Sequence, residues 1–390
     1  MLRSVALRRI RLAVSFFFFI QGVVFASWAN RIPDVKAQLG LNDKELGSVL
    51  FAIPVGQVVA MALSGWLVNR FGSKRMIALG ASLYALFLVP LGLAPSIWTL
   101  VLSLFLFGMA SNLCNAAGNT QAIGVERLYG RTIMASFHAL WSLGGFLGGL
   151  ISMLFAHMAL SAWVQFVSVA ALAVSSVFVY KQWLVKWDVK APTVDPEKRP
   201  HGFKRFTSLL APFVVFLGVM AFVAMVCEGC MYDWSGVYFA EVVCVSEGNV
   251  QLGYVVCLCA MTCGRLISDR FVTRFGRRMV VLVSGLLIFS GMMLSVALPM
   301  LVPATIGFAL IGFGISSTVP ICYSLAGHSQ KVNSATAVTT VASVGYLGFL
   351  LGPPVIGHLA HAFTLHVTFG IMAFMGLALS LGALRLPKRD

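Results

Sequence analysis

Apolar residues run along this chain in long stretches, and the polar ones gather in short clusters between them. Runs long enough to matter fall near 12–32, 46–68, 76–94, 97–124, 132–156 and 160–183, then near 208–238, 248–267, 279–298, 301–327, 333–358 and 363–384. A hydrocarbon core about 30 Å thick needs about 20 such residues per helix, because every backbone N–H and C=O must find its partner inside the segment. The pattern predicts an all-α membrane protein with twelve transmembrane helices, grouped as two six-helix bundles. The long runs 97–124 and 208–238 are expected to tilt or bend.

Composition removes the soluble alternatives. Hydrophobic residues are 59% of the chain and charged ones 11%, against about 45–50% and about 25% in soluble domains. A formal charge of +15 points to nucleic acid only when basic residues share a water-exposed face, whereas here they sit between apolar runs. No nucleic-acid partner is expected; the partners are a lipid bilayer and a small-molecule substrate. The first run follows Arg3, Arg8, Arg9 and Arg11 but is too long for a signal-peptide core and lacks an A-x-A site, so it reads as a retained first helix.

Charge also orients the chain. With the N-terminus in the cytoplasm, the tails and even-to-odd loops hold 25 of the 28 Lys and Arg residues and leave Arg31, Lys36 and Lys44 outside. The positive-inside rule then places both termini in the cytoplasm of a multi-pass inner-membrane protein. Residues 184–206, with three prolines and dense charge, cannot span lipid and read as a cytoplasmic tether. The domains expected are a bundle over 1–183, the tether, and a bundle over 207–390.

The two halves repeat each other. NRFGSKR at 69–75 returns as TRFGRRM at 273–279, 204 positions on, and the same offset links Gly144 to Gly348, Gly148 to Gly352 and His157 to His361. Internal duplication of this kind marks secondary transporters. GWLVNRFGSKR (65–75) and GRLISDRFVTRFGRR (264–278) resemble the paired loop signatures of the major facilitator superfamily. NRIPDVKAQLGL (30–41), EGCMYDWSGVYF (228–239) and VGYLGFLLGPPVIG (344–357) resemble its bacterial MosC-like group, related more distantly to fucose permeases.

That resemblance implies an alternating-access carrier whose bundles rock about a central cavity. Its loop motif falls here on Gly65, Asn69, Arg70, Gly72, Arg75, Asp269, Arg270, Gly276 and Arg277. The glycines allow a tight turn and the basic groups stay among cytoplasmic headgroups, where they clamp the other half or simply set topology. One departure is Asn69, where the family usually carries an aspartate; Asp269 stands a turn before the second heptad.

Polar groups at membrane depth are costly unless they face protein or a watery cavity. Asn112, Asn115 and Asn119 are spaced i, i+3, i+7 and share one face of the fourth span. Their amides both donate and accept, which suits hydroxyl-rich solutes; gluing helices together is the plainer role. Gln21, Gln57, Trp141 and Tyr346 complete the candidate substrate-binding set, with core packing the alternative for the two aromatics. Glu228, an acid within a span, and His138, for which a structural role is the plainer reading, are the proton-coupling candidates. Fucose permeases are understood to use acids on the first and fourth helices, where this chain has Gln21 and the asparagines, so the family's usual coupling groups are absent here. Sodium coupling and facilitated diffusion stay open. Since the family fold implied by the resemblance brings the first and seventh spans together at the outer mouth, Arg31, Asp34 and Asp233 are expected to form a periplasmic gate, with Arg31 pairing Asp233 or Glu228 when that mouth closes.

Other features fit duller roles. The eight cysteines fall mostly in apolar runs and serve as small hydrophobes; His358, His361 and His366 match no strong metal spacing; and the glycines of SLGGFLGGL (142–150) and GFLLGPPVIG (348–357) suit helix contact and bending. No cofactor or metal is expected. No P-loop or catalytic motif is present, so ATP-driven transport and catalysis gain no support. The sequence favours a monomeric carrier of a sugar, cyclitol or similar polar metabolite. A drug or metabolite efflux antiporter is the alternative, and a non-transporting receptor or scaffold the next.

Overall fold

The structure is a computed structural model that describes residues 2–130, 133–186, 211–328 and 334–387. Among them are helices and turns without strands, and twelve helical stretches long and apolar enough to cross a membrane. The chain divides into two compact units: Met1–Val189 with Ser246–Gln251, and Lys190–Val245 with Leu252–Asp390. Residues 187–206 of the expected tether lie outside the described residues.

The first unit contains α1 (Leu2–Ala29), α2 (Ile32–Leu39), α3 (Asp43–Leu50), α4 (Ala52–Phe71), α5 (Ser73–Leu86), α6 (Leu88–Gly92), α7 (Ile97–Tyr129), α8 (Met134–His157) and α9 (Ala162–Tyr180). These make six spans, because α1 with α2, α3 with α4 and α5 with α6 are near-continuous. The interruptions have local causes. Pro54 and Pro90 lack the N–H that would bond the carbonyls of Leu50 and Leu86, and the helix breaks at Phe51 and Phe87. Asn42 opens α3 through a capping box with Glu45, each side chain accepting from the other's backbone.

The second unit contains α10 (Pro212–Glu241), α11 (Leu252–Phe275), α12 (Arg277–Ala297), α13 (Leu301–Gly327), α14 (Ser334–Ala362) and α15 (Leu365–Ala383). Pro320 lies inside α13, and Pro353 and Pro354 inside α14. Several helices outrun the apolar stretches that announced them: α11 continues to Phe275, where apolarity marked only 248–267. Apolarity registers what lipid covers, while backbone hydrogen bonding carries on beyond it.

Packing inside the two units follows one scheme. α1 lies along α8, α4 along α7, and α5 against both α7 and α9; likewise α10 lies along α14, α11 along α13, and α12 against both α13 and α15. The closest seams repeat too. A Cβ on Gly108 would overlap the carbonyl oxygen of Ile53, and one on Gly312 that of Cys257. Both residues of the second contact stand 204 positions after those of the first, so the offset of the basic heptads is also an offset of backbone contact. Gly144 meets the Phe19 carbonyl in the same manner, and Gly348 that of Phe222. Gly352, expected to serve helix contact like Gly148, instead has open space beside it.

Both heptads turn on their glycine. Gly72 has φ +86° and Gly276 φ +80°, in the region that side chains avoid, and each ends one helix and begins the next.

Candidate functional site

The first unit places its amides along α7. Asn112 lies fifteen residues from the start of this 33-residue helix, about 22 Å along an axis of about 50 Å. It is half-buried, while Asn115 one turn further is exposed and accepts a hydrogen bond on Oδ1 from Asn119 Nδ2 at 3.0 Å. The row therefore presents two linked carboxamides and, at Asn112, a third. Gln57 reaches the same helix from α4, its Nε2 donating to Ser111 Oγ at 3.2 Å. Gln21 is more withdrawn: it is buried, and its amide donates to Phe17 O of its own helix at 3.2 Å. Its Nε2 nevertheless stands beside the Gly118 face of α7.

On α8, His138 is exposed with its ring edge against Phe18, and half-buried Trp141 lies 6.0 Å from Phe25 between ring centroids. Tyr346 on α14 is half-buried. In the loop motifs Gly65, Asn69, Arg70, Arg75, Asp269 and Arg270 are exposed and Arg277 half-buried.

Arg31 has a fuller set of partners than the sequence foretold. Its Nε donates to Gln165 Oε1 at 2.7 Å, its Nη2 to Leu160 O at 3.1 Å, and its Nη1 to Asp34 Oδ2 at 3.3 Å. Gln165 in turn donates to Ser152 Oγ at 2.6 Å. Arg31 is 3% exposed, so this network holds the end of α1 to α8 and α9 within the first unit. An uncharged amide and a carbonyl on neighbouring helices thus satisfy the guanidinium fork of Arg31 within the first unit. Asp233, half-buried on α10, has no hydrogen-bond or ion-pair partner among the described residues.

Glu228, expected as a proton-coupling acid, stands in an ion pair. Its Oε1 accepts from Tyr232 Oη at 2.7 Å and from Arg265 Nη2 at 3.0 Å. Glu228 and Tyr232 are one turn apart on α10, and Arg265 comes from α11. The charge pattern assigns Arg265 to the cytoplasmic loops, yet it stands ten residues before the end of its helix, about 15 Å from that end. The Tyr232 ring stacks on Phe349 at 6.2 Å and lies 6.1 Å from Tyr254. Sequence reasoning missed Arg265, Tyr232 and Gln165. The first two carried a signal, namely the i, i+4 spacing of Glu228 with Tyr232 and the ten residues between Arg265 and Gly276.

Glu126 is a further missed carboxylate. Its Oε2 accepts the backbone N–H groups of Ile133 and Met134, both at 2.9 Å, at the start of α8. A negative group there offsets the positive end of the helix dipole. No cluster of metal-ligating side chains occurs among the described residues, and all eight cysteines are free thiols.

Two like-packed helical units with twelve apolar spans define a multi-pass membrane protein. The sequence matches the Major Facilitator Superfamily over residues 12–346 and again over 270–390, and the chain belongs to that family, which is one of transporters and not of enzymes. It falls with the MosC-like group. An uncharacterised MFS-type transporter of Yersinia pestis is 33% identical over 368 residues, covering 94% of this chain and 93% of the relative. The membrane protein MosC of Rhizobium meliloti is 33% identical over 350 residues, covering 90% of this chain and 83% of the relative. Among solved structures, the nucleoside transporter NupG superposes with a TM-score of 0.76 at 15% identity, over 96% of this chain and 98% of that one. A D-xylose–proton symporter superposes with a TM-score of 0.74 at 13% identity, over 97% and 98%. At such identities the likeness establishes the fold.

Proposed function

We propose that the protein is a secondary active transporter that carries a small polar organic solute, of the sugar, cyclitol or related metabolite class, across the bacterial inner membrane by alternating access. In this reading it works as a monomer with both termini in the cytoplasm. The observation that carries it is the carboxamide row on α7, with Asn115 exposed and Asn112 half-buried in the middle of a long apolar helix. Amides at that depth are costly in lipid and suited to hydroxyl groups in water. The solved neighbours named for a nucleoside and for D-xylose lend the class further support. Proton coupling through Glu228, with His138 as the second candidate, is the coupling reading.

A thermal-shift screen of the purified protein against sugars, cyclitols and nucleosides is the test, followed by uptake into vesicles with and without a proton gradient. A ligand-induced rise in melting temperature that disappears when Asn112 and Asn115 are replaced by alanine supports the reading. An unchanged rise in that variant moves the binding face elsewhere. An efflux role for aromatic compounds is the second reading, favoured by the Trp141–Phe25 pair.

A further inference from the structure

We propose that Arg265 docks the carboxylate of an organic-acid solute, and that Glu228 yields its place on the guanidinium by taking a proton. This rests on the transporter reading above and names the chemical class of what is carried.

The first argument is the position of the pair. Glu228 lies sixteen residues into the 30-residue α10, and Arg265 thirteen into the 24-residue α11, so both are at mid-helix. An ion pair at that depth loses much of its attraction to desolvation, and apolar side chains of the same volume would hold the two helices at least as well. Packing therefore gives no reason for the charges, whereas a solute path does.

The second argument is access. About a third of the Arg265 side chain is accessible (34%), against 11% of Glu228. Of the two side chains Arg265 is the more accessible, and its planar fork of donors is matched to a carboxylate in two-point contact.

The third is the geometry on Glu228. Tyr232 and Arg265 both donate to Oε1, and Oε2 takes no hydrogen bond among the described residues. Oε2 can accept a proton while Tyr232 keeps its bond. The titratable groups that interact with Glu228 are Tyr232 on its own helix, Arg265 and Cys257 on α11, and Tyr323 on α13. From α14 comes the uncharged ring of Phe349, stacked on Tyr232.

The exchange balances in charge. At rest the site holds one carboxylate and one guanidinium, with a net charge of zero. When a solute carboxylate takes Arg265 and Glu228 takes a proton from the same aqueous phase, the sum is again zero. On the other side the solute leaves, the proton follows, and the ion pair re-forms. One proton crosses with each carboxylate, and the step moves no net charge.

The test uses the full chain in proteoliposomes, with gluconate, galacturonate, quinate and lactate set against glucose, galactose, inositol and glycerol. At least one acid should be taken up in preference to its neutral counterpart. That uptake should be driven by an inward proton gradient at one proton per solute and be indifferent to a potassium–valinomycin potential. Arg265→Lys, which keeps the charge but loses the fork, should weaken acid binding by on the order of tenfold. Glu228→Gln, which leaves the guanidinium unopposed, should tighten it by on the order of tenfold and abolish its pH dependence. A structural ion pair predicts the reverse for Glu228→Gln, and weaker acid binding in that variant overturns the proposal. So does uptake that follows membrane potential. Transport of a neutral solute with equal affinity in Arg265→Lys overturns it too, but leaves the transporter reading intact. Failure to carry any solute, acid or neutral, overturns both.

Discussion

The two bundles share a packing scheme and differ in how they treat polarity at mid-depth. The first unit puts neutral amides there, Asn112, Asn115 and Asn119, with Gln57 tied to Ser111. The second puts an ion pair there, Glu228 with Arg265, braced by Tyr232. Yet Gly108 on Ile53 and Gly312 on Cys257 are the same backbone contact written twice. Duplication has kept the seams, where a Cβ has no room, and released the side chains that face away from them. Neutral groups can be exchanged cheaply; a charged pair is fixed by the cost of leaving either member alone.

That contrast can be broken by thermal unfolding of variants in detergent. The largest effect belongs to the second unit: Arg265→Ala strands the Glu228 carboxylate and should destabilise by about 3–5 kcal/mol, whereas the joint change Arg265→Met with Glu228→Leu should come out near neutral. If the single variant is as stable as the parent, the pair is solvated like a surface ion pair and the distinction fails. Intermediate effects belong to the shared seams. Gly108→Ala and Gly312→Ala should each cost about 1–3 kcal/mol through overpacking, and by similar amounts; unequal costs would separate the two halves at the backbone as well. The smallest effects are expected for Asn115→Ala and Gly352→Ala, each within about 0.5 kcal/mol, since the first is exposed and the second has open space.

The fold was legible because lipid imposes a coarse rule. Twelve runs of about the right length announce twelve spans, and the repeated heptad announced the doubling. Helix breaks at Phe51 and Phe87 were harder to read, although Pro54 and Pro90 supply their cause. The site was less legible. Asn112, Asn115 and Asn119 could be placed on one face from spacing alone. Arg265 was hidden because charge at the end of an apolar run looks like a loop residue, and only the continued helix to Phe275 puts it at depth. Arg31 shows the opposite limit: its partners Gln165 and Leu160 lie about 130 residues away in the chain, at a distance that no local pattern reports.

The glycine seams have a mechanical corollary. Where one backbone rests directly on another there is no side chain to swing aside, so α4 with α7, and α11 with α13, behave as planks glued edge to edge. Spin labels clipped across either plank should report an unvarying separation throughout the turnover cycle, and so supply built-in rulers against which displacement elsewhere is gauged.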